Sequence, residues 1–75
     1  MKLFGHTHSS DQPIELREVA FQASPDALRA IARFLEQMAT ELEEAPSGFE
    51  HFHVQDTFED WPSQWPDLVV VGPAA

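Results

Sequence analysis

The chain has 75 residues, 43% of them hydrophobic and 11% aromatic, with a formal net charge of −9. Its length is below the roughly 100 to 150 residues of a common domain, which predicts one small domain over 1–75, and its apolar content is too high for the class that stays disordered. No cysteine is present, which excludes a disulfide framework, a thiolate metal site and a cysteine nucleophile, and thirteen acidic residues against four basic ones argue against a nucleic-acid partner.

Leu3-Phe4-Gly5-His6-Thr7-His8 reads as a short strand, closed by the turn-forming run Ser9-Ser10-Asp11-Gln12-Pro13. A second strand is predicted over 14–22, where Ile14 and Leu16 alternate on one parity and Val19 and Phe21 on the other. A β-bulge near Arg17-Glu18 would bring all four to one face. Ser24-Pro25-Asp26 then announces a helix, with Ser as N-cap, Pro at the first helical position and Asp at the positive end of the dipole. Its apolar stripe runs through Leu28, Ile31, Leu35, Met38 and Leu42, widened by Ala27, Phe34 and Ala39, and the pattern stops at Ala45-Pro46-Ser47-Gly48.

Beyond the helix, Phe49 to Gln55 alternates as a third strand and Leu68-Val69-Val70-Val71 as a fourth, joined by a long acidic and aromatic connection, Asp56 to Pro66. The tail Pro73-Ala74-Ala75 is expected to fray. The order ββαββ predicts a two-layer α+β domain, an antiparallel four-stranded sheet with one helix packed on one face, and order 2-1-3-4 fits the helical crossover. The uncovered face would be closed by the long loop or by a second copy of the chain, giving a homodimer. No apolar run approaches the ~18 residues of a membrane span and Met1 to His6 lacks a signal peptide's apolar stretch, so a cytoplasmic protein without a membrane partner is expected.

Three constellations carry candidate chemistry. The pairs His6/His8 and His51/His53 have the spacing that points two imidazoles to one face of a strand, and if the first and third strands were neighbours all four could hold a divalent metal. Two separate solvent-facing pairs are the plainer and favoured reading. The carboxylates Glu41, Glu43 and Glu44, or Asp56, Glu59 and Asp60, lack a cleft to move their pKa values apart, and with no nucleophile elbow and no glycine-rich phosphate loop the chain is not expected to be an enzyme or to hold a cofactor. The third is a surface for a protein, possessed of both charge and flat apolar area: Glu41 and Glu44 at the helix end, with Phe58, Glu59, Asp60, Trp61 and Trp65 in the loop, facing a basic partner. One of the two tryptophans is expected to fold back into the core.

Phe49-Glu50-His51-Phe52-His53, the Trp-Pro loop and the closing Asp67-Leu68-Val69-Val70-Val71 together resemble the small acidic α+β immunity proteins of bacterial polymorphic toxin systems. That resemblance covers roughly the C-terminal half and implies a role in binding and blocking a cognate toxin without catalysis. The small metal-binding domain built on the four histidines is the alternative.

Overall fold

Ser24 sets the start of the long helix. Its Oγ accepts a hydrogen bond from the Ala27 N–H at 3.2 Å, and Pro25 takes the first helical position, where a missing N–H leaves no bond unmade. The computed structural model describes residues 1–73, and the expected fraying of Ala74 and Ala75 lies outside them. Helix α1 (Pro25–Glu44) has 20 residues, about 30 Å at 1.5 Å per residue. It ends where the Ala45 N–H donates to the Glu41 carbonyl and a 3-10 turn, Pro46–Gly48, redirects the chain.

The fold is α+β, as its composition and element order predict, but the four strands do not form one sheet. β1 (Leu3–Gly5) pairs antiparallel with β2 (Ile14–Leu16), and β3 (His51–His53) pairs antiparallel with β4 (Val69–Val71), as two separate two-stranded sheets. Order 2-1-3-4 is therefore corrected, along with the single open face that a second copy was expected to cover. Burial gives the reason. The core consists of Phe34, Met38, Val54 and Trp61, flanked by Ala30, Ile31, Phe49, Phe58, Leu68 and Val70, with no residue of the β1–β2 hairpin among them. The hairpin's Leu3–Leu16 face has glycine opposite Ile14, which stays 49% exposed, and none of these side chains joins the core. The Cα radius of gyration, 13.1 Å, exceeds the ~11 Å of a compact chain of this length, in keeping with a hairpin that lies outside the core.

Two strand boundaries move for local reasons. The parity slip between Leu16 and Val19 is resolved by the strand ending at Leu16, not by a bulge, and residues 17–23 continue without strand pairing into the Ser24 cap. The third strand is shorter than Phe49 to Gln55, because Val54–Thr57 winds into a helical turn, α2. There Val54 is fully buried, its N–H donates to the Leu68 carbonyl at 2.8 Å, and the Thr57 hydroxyl donates back to the His53 carbonyl at 2.9 Å. At the far end of β4, a Cβ on Gly72 would lie 3.2 Å from Phe49 Cδ1 and 3.3 Å from the Phe49 carbonyl oxygen, so glycine lets the strand end rest against Phe49.

The inward face of α1 is centred on Ala27, Phe34 and Met38, all buried, whereas Leu28 and Leu35 remain 43% and 49% exposed. Met38 of the predicted stripe is thus buried together with Ala27 and Phe34 from its margin, and the helix is turned away from Leu28 and Leu35. Phe34 meets Phe58 edge to face, centroids 5.9 Å apart at 81°. Phe34→Ala is expected to cost about 3 to 5 kcal/mol, and Leu35→Ala no more than about 0.5 kcal/mol, despite the two being chain neighbours. Urea denaturation followed by helical circular dichroism checks the contrast.

Candidate functional site: an acidic surface around Trp65

The connection from α2 to β4 folds back on the core in successive turns. The Phe58 N–H donates to the Val54 carbonyl at 2.9 Å, the Trp61 N–H to the Phe58 carbonyl at 3.1 Å and the Trp65 N–H to the Pro62 carbonyl at 3.1 Å. Each turn delivers an aromatic side chain. Phe58 is half-buried against Phe34, and Trp61 is buried, its Nε1 donating to the Pro66 carbonyl at 3.2 Å, which satisfies the one polar atom the indole takes inside. Trp65 stands edge-on against Trp61, centroids 5.1 Å apart at 89°, and keeps 37% of its surface exposed.

Of the seven residues proposed from sequence as a partner surface, Glu44, Glu59, Asp60 and Trp65 are exposed, Glu41 and Phe58 half-buried, and Trp61 buried. Trp61 therefore acts from beneath, as the support against which Trp65 stands, while Phe58 packs on Phe34. The ion pairs among the described residues are Lys2–Glu15, Arg29–Asp26 and the His53–Asp67 contact, so Glu41, Glu44, Glu59 and Asp60 carry no cationic partner there. The last turn of α1 also holds no basic residue, and each carboxylate at that negative helix end is unfavourable by about 0.3 to 1 kcal/mol when exposed. Glu41 lies about 10 Å along the helix axis from Phe34, the level at which the loop is anchored.

The histidine pairs are held apart by the division into two sheets. His6 and His8 lie in the connection between β1 and β2, while His51 and His53 share a face of β3, rings 5.4 Å apart, so the convergence that required β1 beside β3 does not form. Among the described residues there is no group of three or more His, Asp or Glu side chains in a metal-holding arrangement. His53 is instead engaged locally, its Nδ1 lying 2.5 Å from Asp67 Oδ2, and the other oxygen of that carboxylate accepts from the Gln55 N–H at 3.4 Å. Asp67 thereby ties the end of β3 and the first turn of α2 to the start of β4. Sequence reasoning missed this role, although the register was its signal: with His53 opposite Val69, Asp67 falls opposite Gln55 and diagonal to His53.

With this geometry in view, comparison with family models matches residues 18–72 to the family described as Immunity protein 32. The match covers well over half of the chain, which belongs to that family. No curated protein matches the chain. No solved structure matches it either. The matched span begins just after β2, so the β1–β2 hairpin lies outside it and the core, the loop and the β3–β4 sheet lie within.

Asp67→Ala removes both acceptors from this junction. It is expected to lower stability by about 1 to 2 kcal/mol and to speed exchange of the Gln55 amide, with Asp67→Asn recovering part of the loss; denaturant titration and amide exchange read the two effects.

Proposed function

We propose, with membership of the Immunity protein 32 family as the premise, that the chain acts without catalysis in the cytoplasm, holding a basic toxin through its acidic, Trp65-bearing surface. The observation that carries this reading is the pairing of a half-exposed tryptophan on a rigid bed with exposed carboxylates that have no internal partner. Each part has a physical task. The carboxylates raise the encounter rate with a positively charged partner and set its orientation, an effect that acts over about a Debye length and fades with salt. Trp65 supplies flat apolar area that excludes water at the centre of a contact, and because Trp61 already fixes its ring, less side-chain freedom is lost on binding.

The same features account for charges that folding alone disfavours. Glu41, Glu43 and Glu44 crowd the negative end of α1, and nothing within the chain compensates them among the described residues. A basic partner would. The family's description as an immunity protein supports binding over turnover.

Calorimetric titration with the cognate toxin domain tests the reading. Affinity is expected to fall at least tenfold between about 50 and about 500 mM salt, and Trp65→Ala to cost about 2 kcal/mol, roughly thirtyfold in Kd. A dissociation constant indifferent both to salt and to Trp65→Ala with Glu59→Lys and Asp60→Lys would overturn it.

A further inference from the structure

The β3–β4 sheet turns one face to the core and the other to solvent. Its register sets Phe52 opposite Val70, and Val70 packs against the core. On the other face His51 lies opposite Val71 and His53 opposite Val69, and Asp67 shares the parity of the two valines. Val69, Val71 and His51 are exposed there and His53 is half-buried. The four-histidine cluster expected from the sequence does not form, because His6 and His8 belong to the other sheet's connection, but this outward pair needs neither of them.

Two observations give the pair the geometry of ligands. The first is separation. The ring centroids of His51 and His53 are 5.4 Å apart. Two imidazoles that share one tetrahedral ion, with metal–nitrogen bonds of about 2.0 to 2.1 Å, have centroids about 5.2 Å apart, so the rings already stand near that spacing. The second is orientation. Asp67 Oδ2 lies 2.5 Å from His53 Nδ1. A carboxylate only accepts, so the proton of the neutral ring sits on Nδ1 and its lone pair on Nε2. Metal-ligating histidines are held in the same way, giving the other N–H to a carboxylate that fixes the ring and raises its basicity. Hydrogen bonds among the described residues leave the His51 ring without a partner, so its nitrogens are open.

Chemistry selects the ion. Imidazole suits zinc, nickel and copper, whereas magnesium and calcium take oxygen ligands. The valines beside the rings offer no donor, and Asp67 is already engaged by His53 and the Gln55 N–H. We propose that His51 and His53 form a bidentate site for one divalent transition-metal ion on the outer face of the β3–β4 sheet, with Asp67 as the positioning residue for His53. No third histidine or carboxylate completes the set among the described residues, so water takes the remaining positions and the ion is exchangeable, unlike one in a closed four-ligand structural site. The site stands independently of the toxin reading.

The test is zinc chloride titrated into the full chain, purified without a histidine tag and stripped with a chelator, and followed by NMR of the amides and the imidazole nitrogens. One ion per chain is expected, with shifts centred on His51, His53, Val69 and Val71. His51→Ala, at an exposed position that leaves the His53–Asp67 contact in place, should weaken binding about tenfold or more, and His6→Ala with His8→Ala should leave it unchanged. Asp67→Ala should free the His53 tautomer, visible in the imidazole nitrogen shifts, and weaken zinc binding about tenfold, with Asp67→Asn recovering part of the loss. Equal zinc affinity in His51→Ala, or loss of binding in the His6, His8 variant, would overturn the site by placing the ion elsewhere. Magnesium shifting the same residues as strongly as zinc would overturn it by showing only attraction to a negative chain. A freed His53 tautomer with zinc affinity unchanged would overturn the role given to Asp67.

Discussion

The complete enclosure of Phe34 is the constraint on which the other elements of this protein depend. A single aromatic side chain on α1 is contacted edge-on by Phe58, and around it Met38, Val54 and Trp61 close a core with few other fully buried members. Because a chain of this size has little apolar area to distribute, each element is placed by what it contributes to that cluster. Val54 is drawn in and bends the end of β3 into a helical turn, Trp61 is drawn in and folds the loop back, and Val70 brings β4 alongside. The β1–β2 hairpin contributes nothing to it and stands apart.

The placement of Trp65 follows from the same economy. Trp61 can be buried because Pro66 offers its carbonyl to the indole N–H, and the turn that brings Pro66 there also sets Trp65 upright on the Trp61 edge. A residue needed for the core thus fixes the orientation of one that is not. Glu44, Glu59 and Asp60 do no comparable structural work: among the described residues they answer no cation, and at the end of α1 Glu44 opposes the dipole. Features that cost a small fold stability without organising it are where a binding role is expected to show.

What could be read from the sequence was what local chemistry decides. Ser24-Pro25 gave the helix start to the residue, Ala45-Pro46 its end, and the acidic, aromatic loop its position. Spacing alone located the helical stripe but not its centre, because Leu28 and Leu35 fit the period as well as Phe34 and Met38, and only the partner elements choose between them. The alternation of Phe49 to Gln55 was genuine for His51–His53, then overridden by the burial of Val54 and the Asp67 carboxylate at Gln55. The parity slip at Arg17-Glu18 was visible and misassigned: a bulge and a strand end produce the same pattern, and what separates them is whether a neighbouring strand exists to pair with. The burial of one tryptophan was legible, but which of the two was not, since that depends on the Pro66 carbonyl reaching the Trp61 indole N–H.

Splitting four strands into two pairs has a consequence for how the chain avoids its own kind. One four-stranded sheet has two free edges; two separate pairs have four, so every strand among the described residues offers a row of backbone donors and acceptors to a passing strand. The three valines of β4 would make a good template for such pairing, being β-branched and uncharged. They are bracketed by Asp67 on one side and Pro73 on the other, a charge and a residue without an N–H, and Pro13 stands directly before β2. With each strand only three residues long and the whole molecule strongly negative, growth from any edge is cut short after a few hydrogen bonds and resisted by like charge. Net negative charge thus acts as a gatekeeper against edge-to-edge strand growth.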